Sequence, residues 1–280
     1  MKHILSLGAG VQSSCLALMA ARGEVRGYPQ QLDGAIFADT QDEPASVYAW
    51  LDWLEVEIAR SPYPYAVHRV TAGRLQNAAL KMRITKDGRK YSSADIPFFT
   101  KAADGSQGKI THRACTVDFK ILPVLKKVRE LARIKRGQKT VGAVQWIGIS
   151  LDEVHRMKIS RQPWAENCWP LVDMRMRRHD CLIWMERNGY PKPPRSSCVY
   201  CPYHSNAEWR RLKDEEPEEW QRAVQFERDL QRVKGGSDNM QAVPFLHKSL
   251  LPLDQVDLRT LEDHGQMGLW GEECEGMCGV

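Results

Sequence analysis

The stretch LSLGAGVQSSCLALMA, residues 5–20, decides how the chain is read. A short apolar strand runs into Gly8, Ala9 and Gly10, then into Ser13 and Ser14, then into an apolar helix. Small residues let a backbone approach an anion, hydroxyls add donors, and a helix starting near Cys15 turns its N-terminal N–H groups toward the same place. Phosphate suits such a turn. The stretch has no Walker A lysine, and its Gly-x-Gly is not followed by a glycine at the dinucleotide-fold spacing, so neither of those loops is present. Read alone, it is equally a tight strand-to-helix connection.

Working outward, strands and helices alternate through the first half, the pattern of a parallel sheet with helical crossovers. Strands are expected at Ile4–Leu7, Gly34–Ala38, Tyr65–Val70 and Val144–Ile149. Between them Val47, Trp50, Leu51, Leu54 and Ile58 recur at helical spacing behind Pro44, which suits a first turn. Residues 81–111 are polar and glycine-interrupted and read as a long functional loop or small hairpin. From about residue 160 the pattern changes to proline, tryptophan and cysteine punctuation with two helices, near 206–216 and 217–233. The expectation is an α/β fold, a parallel twisted sheet with helices on both faces over residues 1–160. A helical, cysteine-containing elaboration over 161–280 completes it.

Hydrophobic residues at 42% and charged residues at 27% are globular proportions. No apolar run nears the ~20 residues that span a bilayer, so no membrane partner is expected. MKHILSL enters a strand directly without a secretory stretch, which points to a reducing cytoplasm and leaves eight cysteines needing an explanation other than disulfides. Cys198 and Cys201 form C-x-x-C, with Cys115 well upstream, a pattern of metal or redox chemistry in such a compartment. Iron–sulfur and zinc sites use the same thiolates, and free thiols remain an alternative. Cys15 reads as a small core residue. Cys274 and Cys278 sit in a glycine-containing tail, either a flexible inserting end or a frayed terminus. The net charge of +5 is compatible with a nucleic-acid or phosphorylated partner. Residues 126–139 hold seven cations against one acid, and 174–179 add more, a surface for a phosphate backbone or a solvated helix face.

Several segments, in order, resemble the PP-loop ATP pyrophosphatase superfamily, and within it the phosphoadenylyl-sulfate (PAPS) reductase-like family. Gly10-Val11-Gln12-Ser13-Ser14 matches the second half of that superfamily's Ser-Gly-Gly-x-Asp-Ser-Ser/Thr loop, with Gly8, Ala9 and Gln12 where serine, glycine and aspartate are more usual. Asp39 and Thr40 end a strand as in Asp-Thr-Gly-x-Glu. Arg113, Cys115, Thr116, Lys120 and Pro123 follow Arg-x-Cys-Thr-(x)3-Lys-(x)2-Pro. Gly148, Asp152, Glu153 and Arg156 follow Gly-x-Arg-x-x-Glu-Ser-x-x-Arg, with Ser150 where arginine is common. SSCVYCPYH is similar to the family's cysteine pair followed by proline and an aromatic residue.

The resemblance implies an adenine-nucleotide site, for ATP with Mg²⁺ or for PAPS, at the carboxyl ends of the strands. Ser6, Gly8, Gly10, Gln12, Ser13, Ser14, Asp39, Arg113 and Gly148 would bind nucleotide, and Lys120 and Arg156 would contact phosphate as catalytic cations. It also implies an iron–sulfur cluster, or less often zinc, on Cys115, Cys198 and Cys201. Ala114 stands where some members have a further cysteine, so the fourth position is open to Cys278, Cys274, Cys168, Cys181 or His204, or to an iron left free, as in the tRNA-thiolating members. In the reductases a C-terminal cysteine followed by glycine attacks sulfur, which Cys278-Gly279 resembles. Three functions follow as expectations. The first is an ATP-dependent sulfurtransferase acting on tRNA or DNA with a sulfur-donor protein, the second a sulfonucleotide reductase, the third a non-catalytic nucleotide-binding component.

Overall fold

The computed structural model describes residues 1–93, 95–108, 112–240, 242–260 and 263. Two units separate within it, one from Met1–Ala72 and Asp118–Ser196, the other from Gly73–Val117 and the described residues from Ser197 on. In chain order the elements begin with β1 (Lys2–Leu7), α1 (Val11–Ala21), β2 (Gly34–Ala38), α2 (Ala45–Arg60), β3 (Val67–Val70), α3 (Leu75–Ala79), β4 (Met82–Ile84), β5 (Lys90–Ser92) and β6 (Phe99–Lys101). A π-helical turn (Thr116–Ile121) leads into α4 (Leu122–Leu131), then β7 (Ala143–Ile147), a 3-10 turn (Leu151–Arg156), β8 (Ala165–Cys168) and α5 (Pro170–Asp173). The chain continues with α6 (Arg178–Arg187), α7 (Asn206–Glu215), α8 (Pro217–Gly235) and β9 (Val243–Phe245).

The first unit is built on a five-stranded sheet in the order β3-β2-β1-β7-β8, with every neighbouring pair parallel. β2 (GAIFA) and β7 (AVQWI) are buried along their whole length, as strands covered on both faces must be. Alternate residues divide between two cores. Leu5, Leu7, Ala35, Phe37, Val144 and Trp146 pack with α1, α2 and α6 on one face. Ile4, Ile36, Ala38, Ala143 and Ala165 pack with Val124 and Val128 of α4 on the other. All four expected strands are present with ends shifted by a residue or two, and the helix expected around Val47–Ile58 is α2. The pattern change expected at about 160 comes later in this respect: β8 joins the same sheet beside β7. Its short sequence AENC carries no apolar alternation, so tertiary pairing rather than local pattern makes it a strand.

The second unit contains the antiparallel hairpin β4–β5, the antiparallel pair β6–β9 and the helices α7 and α8. The segment expected as loop or hairpin thus supplies both a hairpin and one strand paired far along the chain. Tyr200 stacks on Phe226 with centroids 3.8 Å apart, and Trp209 meets Trp220 edge-on. The buried Glu227 carboxylate accepts the N–H groups of Leu246 at 2.8 Å and Leu253 at 2.6 Å, which fixes the chain after β9 against α8. No helix among the described residues is long and apolar enough to cross a membrane.

Lys234 is almost wholly buried, and its ammonium donates to Ser92 Oγ at 2.7 Å and to the Ser93 carbonyl. Burial lowers its pKa to about 8, against the pull of Asp95. The folded chain therefore releases this proton before the unfolded chain does, and stability rises as pH climbs from about 8 toward 10.5. Urea unfolding at both ends of that window is expected to show the difference between wild type and Lys234→Met growing by about 2–3 kcal/mol in favour of wild type. A difference independent of pH would contradict it.

Candidate functional site

The strand order reverses between β1 and β7, and the carboxyl ends of the strands at such a reversal are the position where open α/β sheets take ligands. The loop between β1 and α1 lies at that point. Ser13 Oγ donates to the Gly10 carbonyl at 3.3 Å and accepts the Gly8 N–H at 3.2 Å, so this hydroxyl staples the loop to itself. Ser14 is fully buried and accepts the indole N–H of Trp50 at 3.0 Å, which ties α1 to α2. Ser6 is a half-buried member of β1, paired in register with Ile36 and Ile147. Gly10 is the N-cap of α1 and supplies no side-chain cap, and the first turn has no acidic residue. The leading amides of an eleven-residue helix thus point their partial positive charge out of the sheet.

Each glycine of the site has a separate reason. A Cβ on Gly148 would lie 2.8 Å from Ser13 Cα and 2.9 Å from Ser13 N, so the turn after β7 presses backbone to backbone on the loop. A Cβ on Gly10 would meet no heavy atom within 4 Å, and one on Gly8 only Ser13 Oγ at 3.6 Å. Gly148 is therefore required by the protein's own packing, while the room beside Gly10 is not used by the chain.

Two positions where the resembled motifs have glycine carry other residues in a backbone conformation that glycine adopts freely. Ala9 (φ 56°) and Gln41 (φ 62°) are left-handed, and each stands where the motif has glycine. An L-residue in this region is strained by about 1–2 kcal/mol. Ala9→Gly is expected to leave the fold intact and raise stability by up to about 1 kcal/mol, read by chemical unfolding. A loss of more than that would show the alanine methyl to be an essential core contact. Two other departures touch each other: Gln12 Nε2 donates to the buried Ser150 Oγ at 3.5 Å. Where the motifs have aspartate and arginine, this chain has a neutral amide and a neutral hydroxyl on the two turns that leave β1 and β7.

The turn after β2 brings acidic groups to the same end of the sheet. Asp39 Oδ1 accepts the Gln41 N–H at 2.7 Å and the Tyr48 hydroxyl at 2.8 Å. Burial, then this bond, pushes the Tyr48 phenol well above its ordinary range. Thr40, Asp42 and Glu43 are all buried. Glu43 accepts from Lys120 at 3.4 Å and from Ser196 Oγ at 3.2 Å. Asp42, Glu43 and Ser196 were not among the expected site residues, although three acids within five residues at a strand's end, DTQDE, are a readable signal. Lys120 lies in the π-helical turn, a distortion that often re-aims side chains at functional sites. Arg156 pairs with Glu153 at 2.7 Å within the 3-10 turn after β7.

Arg113, Cys115, Cys198, Cys201 and His204 fall in the second unit. Arg113 lays its guanidinium over the Tyr203 ring at 5.2 Å, bringing the segment of Cys115 beside that of Cys201. Cys198 and Cys201 sit on one turn, closed by the Cys201 N–H to the Cys198 carbonyl at 2.9 Å and followed by the His204 N–H to the Cys201 carbonyl at 3.1 Å. The buried His204 ring packs edge-on against Trp209, and its Nε2 donates to the Cys198 carbonyl at 3.0 Å. A carbonyl only accepts, so Nε2 carries a proton in this contact. None of the six described cysteines is in a disulfide. Thiolates and an imidazole suit a thiophilic metal. Among the described residues, however, no three His, Cys, Asp or Glu side chains gather as a metal site.

Cys15 is fully buried in α1, and its contact with Cys181, together with burial, raises its pKa. Burial pushes Cys168 up to about 12, so both thiols stay protonated. Cys274 and Cys278, expected as tail nucleophiles or ligands, lie outside the described residues. No protein-family profile matches the chain, and no curated protein matches it significantly.

Proposed function

We propose that the chain is an adenine-nucleotide-dependent enzyme of the PP-loop ATP pyrophosphatase superfamily, PAPS reductase-like in type, that activates a nucleic-acid or nucleobase acceptor with ATP and passes sulfur to it. The observation that carries this reading is the uncapped α1 N-terminus at the sheet's reversal point, with a loop stapled by Ser13 and room beside Gly10. The loop amides and the α1 N-terminus take the nucleotide's phosphates. An acceptor oxygen attacks the α-phosphorus, the bond from that phosphorus to the bridging oxygen breaks, and pyrophosphate leaves with Mg²⁺. A sulfur nucleophile from a donor then displaces AMP from the activated acceptor. Such chemistry is mostly positioning and charge neutralisation, which is work for backbone amides, Lys120 and Arg156. Asp39, Asp42 and Glu43 are the carboxylates at the end of the sheet where Mg²⁺ would accompany ATP. The cysteines Cys115, Cys198 and Cys201 are proposed to hold an iron–sulfur cluster, with zinc the alternative; iron, sulfide and zinc analysis after anaerobic purification decides.

A second reading is favoured by one contact. The neutral Gln12–Ser150 pair removes charge from both turns, as a nucleotide-binding component without turnover would tolerate. Pyrophosphate release from ATP in the presence of tRNA or DNA supports the enzyme. Sulfite release from PAPS with thioredoxin supports a reductase instead, and tight ATP binding without any product supports the non-catalytic component.

A further inference from the structure

The cation-rich segment 126–139 has a definite course in the first unit. The π-helical turn before α4 is tied by Lys120 to Glu43 at the carboxyl end of β2. The chain after α4 reaches the amino end of β7, where the Lys2 N–H of β1 donates to the Gly142 carbonyl at 2.9 Å. α4 therefore runs antiparallel to the strands, from their carboxyl end to the opposite end, about 15 Å for its ten residues. Val124 and Val128 are buried, and Lys126 and Arg129, three apart on α4, lie exposed. Neighbours three apart stand about 5–6 Å from each other on a helix surface. Arg133, left-handed (φ 51°) just past the end of α4, and then Lys135, Arg136 and Lys139 carry exposed charge on beyond the helix. The acid of this segment, Glu130, is paired with Lys127 at 2.6 Å, and Arg129 is seated over the Trp164 ring at 5.6 Å.

We infer that this row is a docking track for the phosphodiester backbone of a nucleic acid, leading from the carboxyl end of the strands to the far end of the sheet. A free nucleotide at the β1 loop cannot use cations at the other end of a six-residue strand, about 20 Å away. A polymer can, because its regularly spaced charges continue past the reacting position, and a row of exposed cations along α4 and the turn after it meets them in series. The track deepens the proposed acceptor class and rests on that reading only for the reaction. Binding is measured without ATP, so failure of the track and failure of the enzyme reading are separate results.

The test is fluorescence anisotropy of the full chain with a labelled 24-base-pair DNA duplex and with labelled bulk tRNA, from 50 to 300 mM KCl. Wild type is expected to bind at least one of them with affinity falling steeply with salt. Each phosphate contact removed lowers the slope of log K against log salt by about 0.7–0.9. Lys126→Gln with Arg133→Gln and Arg136→Gln should therefore flatten it by about 2–3 and weaken binding at 100 mM at least tenfold, with an unchanged melting temperature. A second variant, Lys135→Gln with Lys139→Gln, touches no helix residue and should flatten the slope by about 1–2. Preference for duplex or tRNA names the acceptor. Absence of binding to both at 50 mM, unchanged slopes in both variants, or binding to anionic vesicles but not to nucleic acid would overturn the inference.

Discussion

Gly148→Val is expected to cost about 3 kcal/mol or more and to abolish nucleotide binding, although residue 148 presents no functional group. The first added carbon falls 2.8 Å from Ser13 Cα and 3.1 Å from Ser13 Cβ, and a backbone held on both sides does not yield as a flexible side chain does. Ser13 is also the residue whose hydroxyl closes the loop between Gly8 and Gly10, so displacing it opens the staple. Either the turn after β7 moves off the sheet or the loop loses its shape, and both remove the aligned amides of α1. A drop of roughly 6–12 °C in melting temperature follows for a unit of this size. Thermal melting read alongside nucleotide titration checks it; a variant that melts like wild type and still binds nucleotide would show the two turns to be independent.

Lys120→Met is the second large effect. Glu43 is buried, and Lys120 Nζ approaches it at 3.4 Å with its own side chain mostly covered. Removing one partner of a buried ion pair leaves the other charge poorly solvated and costs about 3–5 kcal/mol, whereas removing both costs much less. The single variant is therefore expected to lose about 3 kcal/mol of stability, and Lys120→Met with Glu43→Leu should regain most of it. Chemical unfolding of the four members of this cycle gives the coupling. Additive losses would mean that the pair contributes nothing and that Lys120 is kept only for a ligand. The prediction also qualifies the sequence reading, in which Lys120 served phosphate alone: here it first holds the π-helical turn to the end of β2.

Much of the first unit was legible because its signals are local. Apolar runs bounded by small residues located β1, β2 and β7, and helical spacing located α2. β8 was not legible, since AENC becomes a strand only by pairing with β7. The pairing of β6 with β9 was hidden for the same reason, their partners being far apart in sequence. At the site, motif order picked out the loop, the β2 turn and the β7 turn, but the contacts each residue makes within the chain were not legible: Ser14 accepts from Trp50, and Gly148 packs against the Ser13 backbone. Nor does a linear reading reveal that Gln12 meets Ser150, 138 positions away, so that two separate departures from one pattern become a single neutral pair.

The proposed function requires the loop after β1 to hold the phosphates of an adenine nucleotide. Gly10→Val isolates it, because a Cβ there meets no heavy atom within 4 Å and the backbone angle (φ −90°) accepts any residue. Replacing glycine at an N-cap costs no more than about 1 kcal/mol. The measurement is isothermal titration of Mg·ATP into wild type and Gly10→Val, each checked for its melting temperature. Saturable binding by wild type, lost in a variant that melts within a few degrees of it, is the predicted result. Equal binding by the two proteins, or none by wild type, would contradict the account and leave residues 5–20 as a strand-to-helix turn.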